Sequence, residues 1–211
     1  TVARLVGEAG KAIHSVAPQA RCIAWTYGIE AWTPDHGARL VSLLPAECEV
    51  MTNFDTGDDF EVEGVRGWYF DYSLRCVGPG AMFAAHSGIA RNRNVRILAK
   101  TESGAPRESH GFPTLPANTR WGRKYAALLQ AGASGALFNW KFMGFTGQIS
   151  EELAGWMTWT GYEDPVPLLH QTAVREFGPE SAEGVMDAWR CFDRAMDHWP
   201  FSGWTSVAFR G

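Results

Sequence analysis

No apolar run in this chain approaches the roughly 20 residues that a membrane-spanning helix needs, and the N-terminal TVARLVGEAGKAI is amphipathic rather than signal-like. No cluster of Lys and Arg interrupts a chain of net charge −4. Nucleic acid and anionic membrane surfaces are therefore not expected as partners. The four cysteines, Cys22, Cys48, Cys76 and Cys191, form no CxxC pair and keep no Cys/His ligand spacing, so buried free thiols are the expectation. HxH and HExxH are absent, and His36, His86, His170 and His198 read as structural. No metal is expected. There is no GxSxG elbow, no P-loop and no Gly-rich dinucleotide fingerprint, which excludes the common nucleophilic hydrolases and leaves no cofactor to expect.

What is present is a βαβ unit from Val95 to Trp140. An apolar run, VRILAKTE, closes on polar residues, and a Pro-broken loop follows. The helical NTRWGRKYAALLQAGAS then leads into a second apolar run, GALFNW. Both runs carry their chemically useful residues at the C-terminal end, the edge at which parallel α/β folds bind ligands. Earlier in the chain, RCIAWTYG (21–28) and ECEVMTNFD (47–55) read as two further strands. Helices are expected over 2–16, where Val2, Leu5, Val6, Ala9, Ile13 and Val16 share a face, over HGARLVSLL, and weakly over AMFAAHSGIARNR. The acidic, Gly-punctuated segment after Asp55 reads as a long loop of the kind that carries function. Three helices follow Trp140, the first capped by Ser150, and the tail from 201 has no regular pattern. One domain over 1–211 is expected, with βα units to 147 and C-terminal helices over 148–200.

Four strands alternating with helices imply a parallel sheet with right-handed crossovers. They look like half of an eight-stranded barrel, opened by a helix as though a strand preceded it. Unpaired parallel edges are rarely tolerated, so the expectation is a part of a longer protein or a half-barrel that pairs with a second copy as a homodimer.

The strand ILAKTE, the SHGFPTLP loop, the RWGRKYAALLQAGASGALFNW unit, the DYSLRCVGPGAMF stretch and the tail REFGPESAEGVMDAWRCFDRAMDHWPFS resemble the C-terminal half of a bacterial TIM-barrel glycoside hydrolase. The resemblance implies strands 5 to 8 of such a barrel. In the large clan of retaining glycosidases, a Glu ending strand 7 is the nucleophile and an aromatic ends strand 8. Glu102 and Trp140 match those positions. The clan's acid/base carboxylate ends strand 4, which lies outside this chain.

Glycoside hydrolysis requires two carboxyl groups, one held protonated. Glu102 ends an apolar strand where nothing structural asks for a charge, and is the first candidate. Asp55 ends the neighbouring strand, though FDTGDD also reads as an Asx-turn. Asp71 sits between aromatics, where burial would raise its pKa, or pairs with Arg66 or Arg75. Lys100, Glu108, His110 and Asn139 are candidate substrate contacts; the duller roles are salt links and a strand-end cap. Ten tryptophans are unusual for this length. Trp25, Trp140, Trp68 and Trp32 are candidate sugar platforms, whereas Trp121, Trp156, Trp189 and Trp199 fall at amphipathic spacing and read as core. The expected activity is hydrolysis of an O-glycosyl bond in a carbohydrate. The rival is a carbohydrate-binding or scaffold half-barrel without catalysis.

Overall fold

The computed structural model describes residues 2–29, 34–69, 71–104, 108, 115–138 and 147–199. Helix α1 (Val2–Val16) precedes β1 (Cys22–Trp25), α2 (Pro34–Leu43) and β2 (Cys48–Asn53). A hairpin, β3 (Asp59–Val62) and β4 (Val65–Trp68), comes next, followed by α3 (Ala81–Asn92), β5 (Ile97–Thr101), α4 (Asn118–Gln130) and β6 (Ala136–Phe138). Three helices complete the described chain: α5 (Ile149–Met157), α6 (Pro165–Phe177) and α7 (Ala182–Asp197). Strands β1, β2, β5 and β6 are all parallel, in that order, in a curled half-barrel sheet.

Side chains alternate across a strand, and the register decides which of them meet. Asn53 stands opposite Lys100, Met51 opposite Leu98 and Trp25 opposite Met51. One face therefore carries Trp25, Met51, Asn53, Leu98 and Lys100. The other carries Val50, Ile97 and Ala99, which join Val41, Leu44, Phe54 and Phe83 in a core beneath α2 and α3. Continuing the register two places beyond Asn53 and Lys100 sets Asp55 across from Glu102. All five residues of β5 are buried, as a central parallel strand covered on both faces requires. At the outer strands Ile23 and Leu137 are exposed.

The long segment after Asp55, expected as a loop, contains the hairpin. Glu63 and Gly64 both take positive φ, 49° and 76°, the backbone of a two-residue turn whose twist matches the flanking strands. Tyr69 donates its N–H to Asp58 O and accepts from Gly57 N–H, so the hairpin springs from the C-terminal end of β2. Gly80 packs against the same place. A Cβ there would stand 2.5 Å from Thr56 O and 2.8 Å from the carbonyl carbon of Asp55. Gly80→Ala is expected to cost about 1–3 kcal/mol through backbone displacement. A urea midpoint equal to wild type would show that the approach is not tight.

The second core gathers Trp121, Tyr125, Leu153, Leu169, Met186 and Trp189, where α4 packs against the three C-terminal helices. Trp156 and Trp199, expected in this core, are exposed instead; Trp156 lies beside Trp159 and Tyr162. Helix α5 is capped by Gln148 rather than Ser150, with Glu151 accepting from the Gly147 and Gln148 N–H groups. Helix α1 departs from expectation, with Val6 alone of the large residues on the expected face packing against the first core. Its small residues Ala3, Gly7 and Gly10 are buried, and Val2, Leu5, Ile13 and Val16 face outward. The reason is close approach: a Cβ at Gly7 would lie 3.1 Å from the Pro45 ring. Of the cysteines, all free, Cys22, Cys48 and Cys76 are buried and Cys191 is exposed. No helix among the described residues is long and apolar enough to cross a membrane.

Candidate active site

Beyond Asn53 and along Lys100, the inner face of the sheet turns from apolar to charged. Asp55 and Glu102 leave the ends of β2 and β5, and Lys124 reaches them from the first half of α4. Its Nζ lies 2.6 Å from Asp55 Oδ1 and 3.3 Å from Glu102 Oε1. It also donates to Ser73 O at 2.6 Å. A second pair lies alongside: Lys100 Nζ donates to Asp71 Oδ2 at 2.7 Å. The Lys100 ammonium sits 3.0 Å above the centroid of the Tyr72 ring, and Tyr72 donates its hydroxyl to that of Tyr27. Asp55, Asp71, Lys100 and Lys124 are wholly buried and Glu102 is 1% exposed.

The loop 71–75 is shaped to hold this arrangement. Asp71 Oδ1 accepts from Tyr72 N–H, and Tyr72 takes a φ of 60°. Asp55 Oδ2 accepts from Ser73 N–H at 3.2 Å. Glu108 accepts from the Ser73 hydroxyl and from the Leu74 and Arg75 N–H groups. Arg120, from α4, donates to the Leu74 and Arg75 carbonyls at 2.9 and 2.8 Å. The same guanidinium donates to Asp193 O and Oδ1 on α7.

Charge counting places a proton. Lys100 and Asp71 form a one-to-one pair, whereas Lys124 faces two carboxyl groups. An uncompensated charge is very costly in so dry a setting, so the trio holds one shared proton. Asp55 has the closer ammonium contact and a backbone donor. Glu102 has the longer contact, and its Oε2, like Asp55 Oδ1, has no hydrogen-bond partner among the described residues. The Glu102 carboxyl is pushed up to about 8, first by burial and further by Asp55, so the pair as a whole favours holding the proton. Burial also raises Asp55, against the pull of Lys124 and Lys100. It raises Asp71 to about 6 despite Lys100. Lys100 is lowered by burial, only partly offset by Asp71 and Glu102. At Lys124 burial is outweighed by Asp55 and Glu102, and the ammonium is held above its ordinary range. No protein-family model, curated protein or solved structure matches the chain.

The three carboxyl groups singled out by sequence, Glu102, Asp55 and Asp71, come together around the two lysines. Asp71 pairs with Lys100 rather than with Arg66 or Arg75. Glu108 joins as well, but with both oxygens turned to the Leu74 and Arg75 N–H groups and the Ser73 hydroxyl. Trp25 is half-buried beside the cluster: its Nε1 donates to Asn53 Oδ1 at 3.3 Å, and its ring lies 4.8 Å from that of Tyr27. Trp68 stands on the hairpin, paired in register with Asp59. His110, Asn139, Trp140 and Trp32 lie outside the described residues. Among the described residues no group of three His, Cys, Asp or Glu side chains could hold a metal; lysines occupy the centre of the cluster.

Lys124, Ser73, Tyr72 and Arg120 are the members that sequence reading missed. Lys124 left a signal. It shares the spacing of Trp121, Tyr125 and Leu128, so a cation falls on the buried stripe of an amphipathic helix.

Proposed function

We propose that this chain corresponds to strands 5 to 8 of a TIM-barrel-type glycoside hydrolase and hydrolyses an O-glycosyl bond at the inner, C-terminal edge of the sheet. The carrying observation is that two buried carboxyl groups, Asp55 and Glu102, share one ammonium at 2.6 and 3.3 Å, with burial raising Glu102 to about 8. Glu102 takes the acid's part here rather than the nucleophile's part that the resemblance implies, and its Oε2 gives a proton to the glycosidic oxygen as the C1–O bond breaks. Asp55 faces the developing positive charge at C1. Water then supplies hydroxide to C1 and returns a proton to Glu102. The contacts of 2.6 and 3.3 Å to one ammonium cap the distance between the nearest Asp55 and Glu102 oxygens at about 6 Å, which accommodates the roughly 5 Å carboxyl separation of retaining enzymes. Lys124 stays charged throughout and steadies both carboxylates once the proton has left. The Trp25–Tyr27 pair supplies the flat apolar surface that sugar rings favour. Among the described residues β1 and β6 each pair on one side only, which fits pairing with a second copy.

The test is turnover on a panel of nitrophenyl glycosides. Glu102→Gln is expected to lower kcat about 10²–10⁴-fold, the usual worth of a general acid, with the circular dichroism spectrum unchanged. Wild-type turnover in that variant would overturn the assignment. The second reading, a carbohydrate-binding half-barrel without catalysis, is favoured by Trp25 and Tyr27 lying nearer the surface than the sealed carboxylates. It requires that Trp25→Ala abolish the heat of sugar binding in a protein that hydrolyses nothing.

A further inference from the structure

Nineteen residues carry Lys or Arg, yet only four of them are lysines: Lys11, Lys100, Lys124 and Lys141. Two of those four are fully buried in the cluster described above. Arginine cannot be deprotonated in a protein, whereas a buried lysine shifts readily toward the neutral amine. In a chain that otherwise prefers arginine, both buried cations of the cluster are of the type that can give up its proton. The two buried lysines differ. Lys124 is locked between two carboxyl groups and a carbonyl oxygen. Lys100 has, among the described residues, one carboxylate in contact, Asp71, and an aromatic face beneath it.

We infer that Lys100 is a nucleophilic amine that captures a small neutral aldehyde, such as the open-chain form of a sugar, as an imine. This activity goes beyond the hydrolase reading and does not depend on it.

Four features support the assignment. The 2.7 Å contact to Asp71 Oδ2 gives the ammonium proton a direct route to a carboxylate. Burial moves both partners toward their neutral forms, lowering Lys100 and raising Asp71. Asp71 also keeps its second oxygen on the Tyr72 N–H, which fixes the carboxylate over the amine. Finally, both lysines are already balanced within the cluster, so no net positive charge is left to hold an anionic carbonyl compound and a neutral one is favoured. Tyr27, at 40% exposed, is the outermost group over the amine, its ring 5.7 Å from Nζ.

The step balances. Asp71 takes a proton from the ammonium, and the nitrogen lone pair attacks the carbonyl carbon. The carbonyl oxygen receives a proton from Asp71, and the nitrogen gives one back to it. The hydroxyl then leaves as water with the Asp71 proton, while the nitrogen lone pair closes the C=N bond. The product is a protonated imine facing the Asp71 carboxylate, with one water released and no oxidant required.

The test is reductive trapping on the wild-type chain with glyceraldehyde and cyanoborohydride, followed by peptide mass mapping. Faster labelling of Lys100 than of the exposed Lys11 is expected. Asp71→Asn should slow labelling of Lys100 about tenfold or more, as loss of a positioned proton carrier does, while leaving Lys11 unchanged. Labelling of Lys100 no faster than that of Lys11 would overturn the proposal, whatever the glycoside panel shows. So would an unchanged rate at Lys100 in Asp71→Asn.

Discussion

Lys124→Met is expected to destabilise the protein by about 3–5 kcal/mol, the usual cost of removing one partner from a buried ion pair. Methionine fills much of the lysine stem's volume, so the loss is electrostatic rather than a matter of packing. It leaves Asp55 and Glu102 buried with no ammonium between them, and Ser73 O without its donor. Total stabilities of about 5–15 kcal/mol make such a loss plain in a urea titration at neutral pH. Two companion results follow from the same geometry. The penalty shrinks below the carboxylate range, where both acids are neutral in either variant. Asp55→Asn restores part of the loss in the Lys124→Met background, because residues in contact do not add. A loss below about 1 kcal/mol would show that another cation carries the trio.

The second large effect concerns pH. Glu102 has a folded pKa of about 8 against an ordinary value of 4.5. A folded protein that binds the proton more tightly than the unfolded chain is stabilised where that proton is bound. The contribution of Glu102 is therefore fully present below about 4.5 and lost as pH rises through about 8. Asp71 acts in the same sense between 3.8 and about 6. Each group can change stability by up to about 1.4 kcal/mol per pH unit in its window. The wild-type protein is thus expected to weaken from pH 5 to pH 8, the reverse of an acid-denatured protein. Glu102→Gln keeps the neutral shape and cannot ionise. Its stability should be flat between pH 6 and pH 8 and exceed wild type at pH 8 by about 2 kcal/mol or more. Parallel curves for the two proteins would place the proton elsewhere. The same variant loses the proposed catalytic proton, so its gain in stability and loss of turnover are two readings of one buried acid.

The sheet was legible in the sequence because each strand is an apolar run that ends in polar residues. RCIAWTYG, ECEVMTNFD, VRILAKTE and GALFNW announce both the strand and the end at which its polar residues gather. Period-two alternation then puts Lys100 and Glu102 on one face, and the register of the two strands brings Asp55 to it. Lys124 was not legible in the same way, because its partners lie 22 and 69 positions away and nothing local pairs them. The hairpin was hidden by composition: DDFEVEGVRGW is acidic and Gly-rich, and its Glu63–Gly64 turn is a weaker signal than Asn-Gly. Helix α1 misled for a physical reason. Its large apolar residues mark a face, but the small residues Ala3, Gly7 and Gly10 decide which face can approach the rest of the chain. Trp156 and Trp199 misled similarly, since periodicity places a side chain on a stripe without saying what covers that stripe.

Arg120 gives the last helix a place in this chemistry. One guanidinium holds the loop carbonyls of Leu74 and Arg75 and, at the same time, Asp193 on α7. Arg75 adds a bond of its own, from Nε to the Met196 carbonyl, across 121 positions of sequence. Loop 71–75 carries Asp71, Tyr72 and Ser73, each touching a lysine or a carboxylate of the cluster. Helix α7 is therefore a keystone rather than an appendage. Loosening it would slacken the loop and admit water to the acids, so local opening at the far end of the chain and loss of the buried proton become one cooperative event.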